Sequence, residues 1–444
     1  MITKKTVILL FITLFLGRAG VGFAQDFARL GERTIMGTAR YVGMGGAMTA
    51  VGADPSAALD NPAGLGLYRR SEFLLTLDYM TDKAWQKGAD KTDRRWLFMA
   101  PNASAVFCVP TQNAEGVLFH NFMVSYQRVH TFNRTLMAGA TNAPSLGTLF
   151  ASTEVDLGIN YCSDRYNASN QLRVWEIGYV NAYAFDWSVN ISDRWYVGLG
   201  LRVHSFSLSS EAEYTEYFDR WSPKGATYYN ANDTKVLYTG AGCSLSAGLL
   251  YRPVRWLRLG FGLQTPSVGS FTTSTVGTLY AQTDTLMSTN APDLRSVASD
   301  FHMPLHTSLS MAFQIRQYAL IALQYDFRHQ PGEGNTHSLR AGVEVVPVAG
   351  LYINAGYVYE SPFRKTNTIV PIDPQLNRQD TYFRHPRWSQ YISGAVGYRG
   401  EHFIVQAAYQ FRMQRLHLTA HENMQPFDMQ ADTHRVVLTF GWHR

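Results

Sequence analysis

With 444 residues and 16% charged side chains, the chain falls well short of the roughly 25% charge of an ordinary soluble protein, yet its mean hydropathy of -0.16 is too low for a bundle of membrane helices. A β-barrel satisfies both facts, because only half of its strand residues face lipid. The formal net charge is +5, but Lys and Arg are scattered without a basic run, which argues against nucleic acid as a partner.

In chain order, Lys4 and Lys5 precede the apolar run Val7 to Leu16, and Gly22, Phe23 and Ala24 form a small-x-small cleavage pattern before Gln25. Residues 1–24 read as a secretory signal peptide; the run is about half the roughly twenty residues that a spanning helix needs. No Cys stands where a lipid anchor would attach. Cys108, Cys162 and Cys243 are odd in number and far apart, so they define neither a disulfide framework nor a metal site.

Residues 25–72 follow, with the glycine-rich stretch Gly37 to Asp54 and then Asp60-Asn61-Pro62-Ala63-Gly64-Leu65-Gly66. Such composition suits a compact plug rather than a long regular element.

From residue 73 to 444 the chain reads as a transmembrane antiparallel barrel of about fourteen strands. The strands are expected at 73–80, 95–107, 119–131, 174–190, 194–212, 237–252, 256–275, 302–315, 318–328, 336–346, 350–361, 389–399, 402–416 and 432–443. Over 318–328, Ala319, Ile321, Leu323, Tyr325 and Phe327 share one face, and Gln324, Asp326 and Arg328 the other. A soluble sandwich also alternates, but its outer face is polar. Tight connections such as Ser192-Asp193-Arg194 and Arg316-Gln317 alternate with the long ones at 132–173, 213–236, 276–301, 362–388 and 417–431. Short turns belong in the periplasm and long loops outside, which places both termini of the mature chain in the periplasm and the protein in a Gram-negative type of cell outer membrane. The second strand is interrupted by Pro101-Asn102, where an edge or a kink is expected. The last strand ends on Val436, Leu438, Phe440 and Trp442, a terminus that a barrel-assembly machinery would take as partner during biogenesis.

The residues Gly43-Met44-Gly45-Gly46-Ala47, then Asp54 and Ala57, then Asn61-Pro62-Ala63-Gly64-Leu65 resemble the N-terminal hatch of the FadL/TodX family of outer-membrane hydrophobic-compound transport proteins. The resemblance covers essentially the whole mature chain. It implies passive uptake of hydrophobic compounds such as long-chain fatty acids: capture at extracellular loops, passage into the barrel, displacement of the hatch, and exit sideways through a gap at a kinked strand. Gly43, Gly45, Gly46, Asn61, Pro62 and Ala63 are then the hatch and gating residues. In that family the loops between strands five and six and between strands seven and eight capture the ligand. Here these loops carry the candidates Tyr214, Tyr217, Phe218 and Trp221, and Leu286 and Met287. Rings of an interfacial girdle are the competing reading.

The remaining constellations are weaker. His302 with His306 is spaced too widely on a strand, at about 13 Å, to share a metal, and no cofactor or metal is implied. Asp186, Arg202, Arg258, Asp326, Arg328, Arg340, Glu344, Glu360, Arg412 and Arg435 all read inward, where opposed charges pair with one another and with the plug. The inward His306, Ser308 and Ser310 lie on one strand and do not make a catalytic triad, so the chain reads as no enzyme. Besides the lipid bilayer and hydrophobic small molecules as partners, two alternatives stand: a barrel serving a protein-secretion machinery, and a haemin receptor.

Overall fold

The structure, a computed structural model, describes residues 31–88, 92–113, 115–144, 166–218, 228–283, 287–290, 295–330, 334–362, 383–419 and 425–444. Its strands are β1 (Glu72–Gln86), β2 (Thr92–Pro110), β3 (Val117–Pro144), β4 (Tyr166–Ile191), β5 (Trp195–Phe218), β6 (Tyr228–Val254), β7 (Leu257–Gln264), β8 (Val268–Thr283) and β9 (Met287–Asn290). They continue with β10 (Arg295–His302), β11 (Leu305–Ile315), β12 (Ala319–Gln330), β13 (Gly334–Val345), β14 (Leu351–Glu360), β15 (Phe383–Arg399), β16 (Phe403–Thr419) and β17 (Phe427–His443). All belong to one antiparallel sheet that closes where β1 pairs with β17. β7 and β8 are one crossing, as are β10 and β11, and β9 is a short extension on β8, so the barrel has fourteen crossings. The two interruptions face each other. Gln264 pairs with His306 and Val268 with His302, which sets Pro266 opposite Pro304, two residues with no N–H to give the ladder.

Alternation sorts the side chains as expected. β12 turns Ile321, Leu323 and Tyr325 outward and buries Ala322, Gln324, Asp326 and Arg328. Aromatic rings collect towards the tight-turn rim, where Phe73 stacks on Trp442 at 6.0 Å and Trp195 on Tyr251 at 3.9 Å. Towards the other rim, Tyr325 bonds His337 and Tyr409 bonds His434, each at 2.7 Å. An apolar band between two such girdles is what lipid and its two interfaces require. The turn at Ser192-Asp193 has φ of 52° and 54°, the doubly left-handed form that joins twisted strands most tightly.

Several strands outrun the expected bounds. β3 reaches Pro144 and β4 begins at Tyr166, while β5 reaches Phe218 and β6 begins at Tyr228. Much of the loops expected at 132–173 and 213–236 is therefore ladder. The pairing persists above the apolar band because cross-strand polar pairs replace apolar ones, as between Glu211 and Lys235. Loop 276–301 is likewise reduced by β8, β9 and β10.

Candidate functional site

Residues 31–68 lie inside the barrel, as their contacts with inward side chains on strands all around the wall require, and Arg69 and Arg70 emerge exposed at the tight-turn rim. The segment holds one helical turn, α1 (Ala39–Gly43), and two 3-10 turns, Ala57–Leu59 and Pro62–Leu67. Thr38 caps α1, accepting from the Tyr41 N–H at 3.2 Å and donating its hydroxyl to Asp54 at 2.7 Å. After α1 the chain reverses through Gly45 and Gly46, at φ of 61° and 69°, a conformation open to glycine at little cost. Asn61 caps the last turn: its Oδ1 accepts from the Ala63 N–H at 3.0 Å, while its Nδ2 donates to the carbonyls of Thr49 and Leu249 at 2.9 and 3.3 Å. Pro62 takes the first helical position, where its missing N–H costs nothing.

Five wall arginines donate to carbonyls of this segment. Arg202 reaches Ala58 at 2.8 Å, Arg258 reaches Val51 at 3.0 Å, Arg328 reaches Gly31 at 3.3 Å, Arg340 reaches Gly46 at 3.2 Å and Arg435 reaches Ile35 at 2.6 Å. Four of them are held in turn by wall carboxylates: Arg202 by Asp186 at 2.5 Å, Arg340 by Asp326 at 2.7 Å, Arg328 by Glu360 and Arg435 by Asp78. In the opposite sense, Arg40 of α1 makes a two-pronged pair with Glu344 of β13 at 2.6 and 2.9 Å, a geometry that fixes orientation as well as position. The inward charges expected to pair with one another and with the plug do both. Arg412, the remaining one, lies over the Tyr391 ring at 5.2 Å.

A second knot centres on Asp60, which receives the Tyr41 hydroxyl at 2.8 Å and meets Arg33 and Arg340 at 3.2 Å each. Burial, reinforced by the Asp60 carboxylate, pushes the Tyr41 hydroxyl above its ordinary range, so it remains a donor. Arg33 also contacts Nδ1 of His306 at 2.8 Å. Since a guanidinium only donates, that nitrogen accepts, and the ring proton sits on Nε2, 3.4 Å from Asp326. His306 and Ser308 thus serve to hold the segment, Ser308 donating to the Asp60 carbonyl at 3.3 Å.

Glycines in the wall let the segment's backbone lie flush against it. A Cβ on Gly356 would stand 2.2 Å from the Gly45 nitrogen, one on Gly198 2.4 Å from the Ala63 nitrogen, and one on Gly248 2.0 Å from Asn61 Oδ1. Gly43 meets Ala395 in the same way, at 2.3 Å. The structure thus brings Gly43, Gly45, Gly46, Asn61, Pro62 and Ala63 together as the contact surface between segment and wall. The facing glycines, spread over strands far apart in sequence, carry no local signal.

One side of the wall is incomplete. β2 pairs with β1 along most of its length but with β3 only from Asn102 opposite Gln127 to Pro110 opposite Phe119. Beyond this point β3 pairs with β4 alone, after an irregularity between Arg128 and His130. The kink read from Pro101-Asn102 falls where the β2–β3 ladder stops. Side chains bridge the gap: Arg95 donates to Thr135 at 2.8 Å, and Asn133 to the Trp96 carbonyl at 3.3 Å. Behind it, Arg134 clasps Asp82 of β1 at 2.7 and 2.8 Å. A cavity of about 30 Å³, lined by Thr131, Asn133, Arg134, Arg412 and Met36 among others, borders this seam. It has room for about one water.

The expected capture residues scatter. Tyr214 is fully buried in β5, in a cluster with Leu172, Leu416 and Phe427, its hydroxyl donating to Glu216 at 2.8 Å. It is no exposed loop residue, because the β5–β6 ladder extends past it. Tyr217 is exposed on the same strand, Phe218 ends β5 and Met287 opens β9. Trp221 and Leu286 lie outside the described residues.

A closed fourteen-crossing transmembrane barrel filled by its own N-terminal segment, with one seam left unpaired, is the class of protein these features define. Among solved structures, the fold is that of a Pseudomonas aeruginosa FadL homologue, at 13% identity and a TM-score of 0.56 over 93% of this chain and 99% of that one. It is equally that of the Pseudomonas putida toluene transporter TodX, at 14% identity and a TM-score of 0.56 over 92% and 98%. The monoaromatic hydrocarbon channel CymD matches at 11% identity and a TM-score of 0.53 over 93% and 98%. No family model and no curated protein matches the chain.

Proposed function

We propose that the protein is a passive channel of a Gram-negative outer membrane for hydrophobic compounds, long-chain fatty acids among them. In this reading the tight-turn rim and both chain ends face the periplasm. Ligand enters from the long-loop side, the segment 31–68 shifts as a hatch, and the compound leaves sideways between β2 and β3. The observation that carries the reading is the ladder between β2 and β3, which ends at Asn102 beside a cavity bounded by the interior segment. Backbone groups there are bridged by single side-chain contacts, which part more easily than a ladder. The solved proteins sharing the fold include channels for toluene and other monoaromatic hydrocarbons, and the histidine and serine that could have suggested hydrolysis are engaged in holding the hatch.

The test is to join β2 to β3 by a short bifunctional thiol reagent between Met99→Cys and Thr131→Cys, in a background with the native cysteines replaced by serine. Cellular uptake of a labelled long-chain fatty acid and of toluene is then measured. Uptake should fall to the level of cells lacking the protein and return when a cleavable linker is cut. Undiminished uptake would refute the sideways route. Mass spectrometry of small molecules retained on the protein after purification from native membranes, against an unrelated barrel, should show enriched apolar compounds; a stoichiometric protein instead would point to a secretion component.

A further inference from the structure

Outside the lumen, one sector of the wall joins an apolar groove to a cluster of arginines. The groove has a volume of about 720 Å³ and runs across the lipid-facing side of β5, β6, β7, β11, β12 and β13, between Trp195, Tyr251, Phe261, Leu309, Leu323 and Leu339. That volume lies in the range of about 300–1,000 Å³ typical of ligand sites. Its floor at the tight-turn end is the stacked pair Trp195 and Tyr251. The residues next to them in sequence are Arg194 and Arg252, on adjoining turns joined by the Arg252 N–H donating to the Arg194 carbonyl at 2.8 Å. Arg255 follows on the second turn. The Gln314 N–H donating to the Trp256 carbonyl at 2.8 Å ties that turn to the strand leading into Arg316.

Three neighbouring turns thus carry four arginines at the rim where the strands of this groove end. The only carboxylate on these turns, Asp193, is already taken by Arg69 and by Asn190, whose amide donates to it at 2.7 Å. Arg252 donates through one Nη to the Arg255 carbonyl at 3.3 Å and is paired with no carboxylate among the described residues. Positive charge without a counter-ion, set where an apolar groove meets the interface, fits an amphiphile with an apolar chain and an anionic head. Trp256, Tyr318 and Val254, at 56%, 54% and 43% exposed, place the same turns at the depth where a bilayer's headgroups begin.

We propose that this sector is a binding site for an anionic phospholipid, an acyl chain lying in the groove and the phosphate against Arg194, Arg252, Arg255 and Arg316. The inference rests on the barrel reading above and on its orientation, which sets these turns at the periplasmic leaflet, where an outer membrane keeps its phospholipid.

The experiment is native mass spectrometry of the full-length protein in mild detergent, titrated with dioleoylphosphatidylglycerol or dioleoylphosphatidylcholine. Retention of the anionic phosphatidylglycerol should be about tenfold better than that of the zwitterionic phosphatidylcholine, in line with the attraction of a few arginines for an anionic headgroup. The fourfold variant R194Q/R252Q/R255Q/R316Q should lose that preference. Leu309→Trp, which fills the groove and leaves the arginines in place, should lower retention of both lipids. Heat-modifiable electrophoretic mobility shows whether each variant is a folded barrel, and an Arg94→Gln variant controls for charge alone. Equal retention of the two lipids by the native protein, or an unchanged preference in the folded fourfold variant, overturns the site. Orientation is read separately by an impermeant maleimide on an Arg255→Cys variant in intact cells. Labelling there would refute the orientation without touching the lipid preference measured in detergent.

Discussion

Between β12 and β13 the ladder runs unbroken from Ala319 opposite Val345 to Gln330 opposite Gly334, whereas β2 and β3 share only the stretch from Asn102 to Pro110. Both walls face the interior segment, yet they hold it differently. At the continuous wall, Arg340 and Arg328 are fixed by Asp326 and Glu360 and reach backbone carbonyls of the segment. At the interrupted wall, Arg134 turns to Asp82 of the neighbouring β1, and Arg95 and Asn133 replace ladder bonds by side-chain bonds. The difference teaches how unequally the two walls rest on continuous pairing. Ladder bonds are made and lost together, but single side-chain bonds contribute only about 0.5–1.5 kcal/mol each and separate one at a time.

The strongest way to break the comparison is to delete residues 31–65. If the segment closes the lumen, single-channel conductance in planar bilayers should rise several-fold; unchanged conductance would mean that the loops close the pore. Next in size, Arg340→Met leaves the buried Asp326 without a guanidinium and Asp60 with Arg33 alone. Loss of one partner of a buried pair costs about 3–5 kcal/mol, which urea unfolding in detergent should register, with a noisier closed state in conductance traces. Gly356→Val puts a side chain where Gly45 lies and should cost about 1–3 kcal/mol as overpacking, with increased protease cleavage within residues 31–68. Pro101→Thr restores a donor at the end of the β2–β3 ladder and should lower uptake modestly while leaving stability within about 1 kcal/mol; the same exchange has no counterpart in β12, which contains no proline.

The smallest effect concerns Asp54. Burial raises its carboxyl above the ordinary range, with Arg40 pulling the other way. Because the folded state then binds the proton more tightly than the unfolded chain, this group's contribution is complete below about pH 4 and declines as the pH climbs through its folded value. Protease protection of residues 31–68 should follow that trend, and Asp54→Asn should flatten it.

Much of this was legible before any coordinates. Alternation in segments such as 318–328 and 432–443 named the lipid face, because a pleated strand has a period of two whatever it pairs with. Pro101 marked the place where the β2–β3 ladder stops, because a missing donor is a property of the residue itself. Tyr214 went astray for the opposite reason: aromatic density looks the same in a capture loop and in an extended ladder, and only the partner strand tells them apart.

The sequence by itself determined the barrel, the fourteen crossings and the glycine-rich segment ahead of them, since each follows from local periodicity, turn chemistry or composition. Only the tertiary structure decided that Arg435 would meet Ile35 across 400 residues, that Gly356 and Gly198 would face Gly45 and Ala63, and that β3 would leave β2 at Gln127. Those meetings depend on register and on closure of the sheet, which set neighbours across the lumen through every strand pairing in between and are written in no single stretch of chain.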